Sequence, residues 1–321
     1  MNFPVFDLHC DTALALLGLS KPAGGDLMKN DLHVDLQRAS ILPGYCQCFA
    51  CFTTPEMKKW YGRSVEDIFE MELTKILSQI QQNADRICQA FCAEDVEEHQ
   101  KNGKMSAILS IEGPAGFGYD PALLENLWQI GFRISTLGWN EANVLTGSHA
   151  TGEGLSDLGR EYVKEAQRLG MLLDVSHISD QGFWDIMDMT GSNVIASHSN
   201  SRTICGHSRN LTDDMFRAIC QTGGVAGINL YADFLGPEAD LDQACRHVLH
   251  WLELDPEGTH IALGADLDGC DQLPAGFAGV QSYPALAQQL LQRGVGEQIV
   301  ENIYWNNAMG VMKHAVRNHK K

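Results

Sequence analysis

His9 and Asp11 stand two apart in the segment Asp7-Leu8-His9-Cys10-Asp11. On an extended strand, residues two apart project from one face. Such a pair can close on one cation through an imidazole nitrogen and a carboxylate oxygen. Glu112 follows the apolar run 107–111, and a carboxylate at a strand's end can bridge two cations. His177 and His198 close two later apolar runs, in Asp174-Val175-Ser176-His177 and Ala196-Ser197-His198-Ser199, and Asp266 follows another in Gly264-Ala265-Asp266. Each signal is weak by itself. An H-x-D pair is commonplace, a lone glutamate is more often a surface residue, and a lone histidine is more often a satisfied core residue. The whole set, in chain order at strand ends, points to a metal centre. Three histidines and three carboxylates suit two metal ions about 3.5–4 Å apart with a shared hydroxide, which is equipment for hydrolysis.

Elements of regular spacing must carry these residues. Candidate strands are 5–8, 45–52, 107–111, 133–137, 172–175, 194–197, 225–230 and 261–264, several of them continuous apolar runs. Continuous runs are the mark of parallel strands buried on both faces. Between them lie helical patterns with recognisable ends. One spans 64–83, another spans 158–169 and stops at Gly170, a third is capped by Thr212 and ends at Gly223-Gly224, and a fourth opens at Ser282-Tyr283-Pro284 and stops at Gly294. About eight strand-then-helix units predict an α/β fold of the (β/α)₈ TIM-barrel type, whose catalytic residues come from the C-terminal ends of several strands. The rival is an open doubly wound sheet, but no G-x-G-x-x-G follows the first strand, so a dinucleotide version is not supported. No repeat, low-complexity tract or linker divides the chain, and 1–321 reads as a single catalytic domain.

The 321 residues are 44% hydrophobic, enough for a large core that needs no metal or disulfide to fold. A metal here therefore serves chemistry. The net charge of −18 argues against nucleic acid and against an anionic membrane surface. Ten cysteines, including Cys46, Cys48 and Cys51, do not pair like a small secreted scaffold and read as reduced core residues. The start, MNFPVFDLHCD, lacks a signal-peptide pattern, and no run of ~18 apolar residues occurs, so the expected location is the cytoplasm.

The chain resembles the renal (membrane) dipeptidase family of zinc hydrolases, within the amidohydrolase barrels. The matching segments are DLHCDT (7–12), HVDLQRA (33–39), SIEGP (110–114), LLDVSHIS (172–179), ASHSNSR (196–202), HSRNLTDD (207–214), LGADLDG (263–269) and YWNNAMGVM (304–312). The resemblance covers nearly the whole chain. It implies two Zn²⁺ per chain, one held by His9, Asp11 and Glu112 and the other by Glu112, His177 and His198. It implies hydrolysis of dipeptides through a metal-bridging hydroxide, with Asp266 shuttling the proton and Arg209 binding the substrate's C-terminal carboxylate. Tyr231 matches a substrate-contacting tyrosine. The family's members are often dimers, so a homodimer is one implied assembly.

One position departs from the family. Its animal members have a histidine in a Leu-Thr-His-Asn context after the fourth strand, touching the substrate carbonyl. Here Thr136-Leu137-Gly138-Trp139-Asn140 puts Trp139 in that place, beside Asn140. Bacterial relatives carry a Trp-Asn version. Tryptophan shapes an apolar pocket and donates one N–H, but it is neither acid nor base, so this bears on substrate preference. His149, in a nearby Gly-rich loop, is a candidate substitute. The animal enzymes are also exported, disulfide-bonded and lipid-anchored, unlike the form expected here. A related dinuclear amidohydrolase, an N-acyl amino acid deacylase or a lactonase-like enzyme, is the alternative activity. Arg209 discriminates the two, because a dipeptidase needs a group for the free carboxylate. A catalytically silent barrel would be expected to have lost some of these residues, and none is missing.

Overall fold

The computed structural model describes residues 3–191 and 194–315. The described residues contain nine strands: β1 (Val5–Cys10), β2 (Tyr45–Phe52), β3 (Ile87–Gln89), β4 (Met105–Glu112), β5 (Phe132–Thr136), β6 (Leu172–Asp174), β7 (Val194–Ile195), β8 (Ala226–Ile228) and β9 (Ile261–Leu263). Their pairings are all parallel, in the order β7-β6-β5-β4-β2-β1-β9-β8. A bridge between Ala196 and Ala226 joins the two ends, so eight strands close into a TIM-type barrel with helices outside. Strand residues are buried on both faces, as in VFDLHC of β1 and YCQCFACF of β2, which is why they read as unbroken apolar runs.

The outer helices start where side chains satisfy their first N–H groups. Ser64 accepts from Asp67 N ahead of the helix Val65–Gln82, Ser156 from Gly159 N ahead of Asp157–Leu169, and Thr212 from Met215 N ahead of Asp213–Gln221. Gly170 ends the second of these at φ 75°, the left-handed conformation that glycine adopts freely.

Several strands end earlier than the apolar pattern suggests. The expected strand 194–197 stops at Ile195, and 225–230 shrinks to Ala226–Ile228. The cause is polar. Asp174 Oδ1 accepts the N–H groups of both Ser176 and Ser197, at 3.0 and 2.9 Å, so a side chain replaces ladder bonds there. The register also slips between Asp7 and Cys10 along the β1–β2 pairing, at the point where His9 turns toward the barrel mouth. β3 pairs only with the start of β4, outside the barrel, and three residues are too few to signal a strand. The helices Ala93–Lys101, Asp180–Met189 and Leu241–Leu254 complete the jacket beyond those the spacing predicts.

Close approach of β7, β8 and β9 requires glycine at two positions. A Cβ on Gly227 or on Gly264 would overlap the Ser197 carbonyl oxygen. Two bare backbones thus let the His198 segment lie against the strand that presents Asp266. All ten cysteines are free, and Cys46, Cys48 and Cys51 are buried. Among the described residues, no helix is long and apolar enough to cross a membrane.

Candidate active site

Strand ends deliver the predicted residues to one place. His9 Nε2 lies 3.3 Å from Asp11 Oδ2 and 3.3 Å from Glu112 Oε2. Glu112 is the last residue of β4, and its other oxygen is 2.9 Å from His177 Nε2 and 3.7 Å from His198 Nε2. Asp266 closes the group from the end of β9, with Oδ1 3.9 Å from His9 Nε2. All six side chains are brought together, with Glu112 central. His177 and Asp266 sit at φ 73° and 59°, a region that costs non-glycine residues about 1–3 kcal/mol. The surrounding fold holds that strain.

The second nitrogen of each histidine settles which way its lone pair points. Ser197 Oγ donates to the acceptor-only carboxylate of Asp174, so it accepts from His198 Nδ1–H at 2.6 Å. Asn140 Oδ1 accepts from His177 Nδ1–H at 2.8 Å. Both Nε2 atoms are therefore bare acceptors, and they face each other at 2.9 Å beside a carboxylate oxygen. Two lone pairs at that distance repel unless a cation lies between them. Asp11 Oδ1 is buried with no partner at all. His9, Glu112 and His198 form one group able to hold a metal ion, and His9, Asp11 and Asp266 form another. The donor set therefore fits metal binding, and imidazole with carboxylate suits zinc.

Electrostatics agree. Burial pushes Glu112 up to about 8, and the neighbouring Asp11 charge adds to the shift against the pull of His9. Burial disfavours protonated His9, yet Glu112 and Asp11 together raise it well above the ordinary histidine value. Burial holds His177 and His198 well below that value, with Arg209 and His9 contributing. Burial also raises Asp266, whose Oδ2 accepts from Asn229 Nδ2 at 3.0 Å. Three carboxyls crowded at the floor of a cavity call for positive charge.

A cavity of about 470 Å³ opens over this cluster, lined by Asp11, Glu112, His177, Asp266, Trp139, Asn140 and Tyr231 among others. Tyr231 is edge-on to Phe234 at 4.8 Å. Arg209 does not line that cavity. Its guanidinium is buried behind His198, whose carbonyl it bonds at 3.3 Å, and 5.3 Å from the Phe234 ring. It also donates to Ser199 Oγ at 3.2 Å, while its Nε–H finds no acceptor. Burial lowers Arg209 to about 10. His149 does not face the cavity either. It bonds Asn140 Oδ1 at 3.1 Å and Ser208 Oγ at 2.8 Å, and so stands behind Asn140 rather than in the place of Trp139.

Several residues of this site have no role legible in the sequence, although Asp7, Asp174 and Ser197 lie inside the matching segments. Asp174 and Ser197 orient His198, Asn229 orients Asp266, and Asp7 accepts from His9 N and Ala265 N at 2.9 Å each, tying β1 to the end of β9. Glu72 is fully buried on the helix Val65–Gln82 and accepts from Phe52 N at 2.8 Å. Burial raises its carboxyl well above the usual range, with Asp11 and Glu112 adding to the effect. A carboxylate on the apolar stripe of Ile68, Phe69, Ile76 and Ile80 is the signal that marks it.

An eight-stranded barrel with clustered histidines and carboxylates at the C-terminal ends of its strands is the architecture of a metal-dependent hydrolase. The family model for membrane dipeptidase (peptidase family M19) matches residues 1–321, and the chain belongs to that family of metallo-dipeptidases. A Klebsiella pneumoniae protein from the pqqA 5′ region is 31% identical over 262 residues, covering 77% of this chain and 96% of that one. An uncharacterised dipeptidase of Schizosaccharomyces pombe is 35% identical over 235 residues, which is 69% of this chain and 56% of the yeast protein. The chain thus spans about half the length of that relative. A metallo peptidase from Rhodobacter sphaeroides, solved with a phosphinate mimic of the dipeptide L-Ala-D-Ala, superposes with a TM-score of 0.87 at 26% identity. That superposition covers 98% of this chain and 100% of the other.

Proposed function

We propose that the chain is a zinc-dependent dipeptidase holding two Zn²⁺, with residues 1–321 working as one catalytic domain. His9, Asp11 and Glu112 would hold one ion, and Glu112, His177 and His198 the other. The observation that carries this reading is the pair of bare Nε2 atoms 2.9 Å apart beside Glu112 Oε1. When bound, the ions supply a shared hydroxide nucleophile at neutral pH and polarise the scissile carbonyl. Asp266 Oδ1, aimed into the cluster, takes the proton of the attacking water and passes it to the leaving amine. Asn229 fixes the other oxygen of that carboxyl so that only one faces the reaction. Arg209 anchors the substrate's C-terminal carboxylate. Its support is an unpartnered Nε–H and hydrogen bonds that go to a hydroxyl and a carbonyl rather than a carboxylate. Tyr231, Trp139 and Asn140 line the space the dipeptide occupies. Ten free thiols fit a reducing compartment, the cytoplasm.

Hydrolysis of L-Ala–L-Ala and L-Ala–D-Ala by zinc-loaded protein, beside chelator-stripped protein, tests this. Turnover that stops on stripping and returns with about two equivalents of zinc is the expected result. No turnover with two ions bound would overturn it. One observation favours a sister activity, since Arg209 lies behind the cavity wall rather than in it. A lactonase-like enzyme would turn over substrates lacking a free carboxylate equally well, and an N-acyl amino acid deacylase would accept a blocked amino terminus, so an amidated and an N-acetylated dipeptide belong in the same assay.

A further inference from the structure

The cavity above the cluster has two unlike walls. After β8 the chain provides Tyr231 and Phe234, with Arg209 buried behind His198 and beside the Phe234 ring, and after β9 it provides the carboxylates Asp266, Asp268 and Asp271. On the far side, after β2 and β5, four aromatic rings run in contact. Phe52 and Trp139 have centroids 5.0 Å apart, Trp139 and Trp60 5.9 Å, and Trp60 and Tyr61 6.2 Å. All four line the cavity, and Leu14 packs with Phe52, Tyr61 and Trp139 in one apolar cluster. Phe52 is 7% exposed, whereas Trp60 is 45% exposed on the short helix Met57–Tyr61. An indole left that open beside a cleft marks a surface awaiting an apolar partner.

The strand order decides which part of a substrate meets this wall. Arg209, after β7, and Phe52, Trp60 and Tyr61, from the end of β2 and its loop, are delivered by opposite sides of the barrel, with His177, Trp139 and Glu112 between them along one arc and His9 along the other. A dipeptide whose carboxylate points to Arg209 and whose scissile carbonyl lies over the cluster must extend its first residue past the cluster. That residue's amino group turns toward the carboxylates of the β9 loop, and its side chain toward Phe52, Trp60 and Trp139. Resting on the dipeptidase reading, we infer that this aromatic wall is the pocket for the N-terminal side chain, and that the enzyme prefers dipeptides beginning with an aromatic or large aliphatic residue. A cationic first side chain is disfavoured, because Lys21 stands on the same wall next to Ser20, whose hydroxyl bonds the Tyr61 phenol at 3.2 Å.

The test is a kcat/KM panel on zinc-loaded protein with Ala-Ala, Leu-Ala, Phe-Ala, Lys-Ala and the reversed Ala-Phe. The expected result is Phe-Ala over Ala-Ala by on the order of tenfold or more, with Leu-Ala between and neither Lys-Ala nor Ala-Phe sharing the gain. Trp60→Ala should collapse the Phe-Ala to Ala-Ala ratio toward one. Trp139→His should lower that ratio as well, and both ratios are independent of the fraction of enzyme that folds. A flat panel with good turnover, a preference for Ala-Phe, or a ratio that survives Trp60→Ala would overturn the inference while leaving the dipeptidase reading standing. No turnover of any member by protein holding two zinc ions would overturn both.

Discussion

The Ser197 hydroxyl sits between a buried carboxylate and a buried imidazole, and it sets the tautomer of His198 without approaching the substrate. Replacing it with alanine strands His198 Nδ1–H and Asp174 Oδ2, while Asp174 Oδ1 keeps its two backbone donors. Outer partners of metal-binding histidines are typically worth about 10–100-fold in metal affinity. Ser197→Ala is therefore expected to weaken binding of one zinc equivalent by that factor, read by competition with a chromophoric chelator, while the other equivalent is retained. Asp266→Asn separates the proton step from metal binding. It keeps the shape and the Asn229 contact but removes the base, so kcat should fall about 10²–10⁴-fold with zinc stoichiometry unchanged. Loss of zinc in that variant would assign Asp266 to the metal instead. The six residues that meet at the barrel mouth were legible because each ends an apolar run, and strand ends converge in a barrel. The groups that aim them were not. Serine, asparagine and aspartate in short strands look ordinary until folding places Ser197 beside Asp174, 23 residues away.

At the scale of elements, a neutral histidine ties the helix Leu241–Leu254 to the segments that follow β7 and β8. His247 Nδ1 accepts from Ser201 N at 3.1 Å, and its Nε2–H donates to Leu235 O at 3.1 Å. Protonation would break the first of these. Burial lowers His247 to about 4, against an ordinary value of 6.5. The folded protein therefore binds fewer protons than the unfolded chain between those values. Stability from this residue is complete above pH 6.5 and declines as pH falls toward 4. Thermal melts of metal-free protein between pH 7.5 and 5 should show a downward slope that His247→Asn reduces, and an equal slope would refute the assignment. Two further elements show where the pattern misled. The strands expected at 194–197 and 225–230 are shorter in the fold because side-chain acceptors and tight glycines take over from ladder bonds near the site. Periodicity reports burial, and burial continues past the last paired residue.

For the whole molecule, the decisive property is a mouth where buried carboxyls crowd together beside facing lone pairs. Glu112, Asp11 and Asp266 repel one another, and His177 and His198 present bare nitrogens at 2.9 Å. The barrel itself is assembled from a continuous core that does not include these groups, so it should fold without metal. Burial of Glu112 and Asp266 then costs stability, offset in part by the attraction of His9 to Glu112 and Asp11, until cations arrive. Binding to the native state alone stabilises by about 2.7 kcal/mol when free metal is 100 times its dissociation constant. For a chain of this size that corresponds to a rise in Tm of several degrees. Calorimetry of stripped protein should therefore give a cooperative transition at lower temperature, moving up by roughly 5 °C or more as zinc is added. The Glu112→Gln variant reverses part of that logic. Replacing the central carboxyl, already raised to about 8 by burial, removes a group that is costly to ionise in the stripped protein and withdraws the proposed bridge from the loaded one. Its metal-free form should melt no lower than the stripped wild type, and its response to zinc should be largely lost. A stripped Glu112→Gln protein that melts well below stripped wild type would mean that Glu112 stabilises the fold in its own right, and the mouth of the barrel would then be a structural network rather than a site held in readiness for metal.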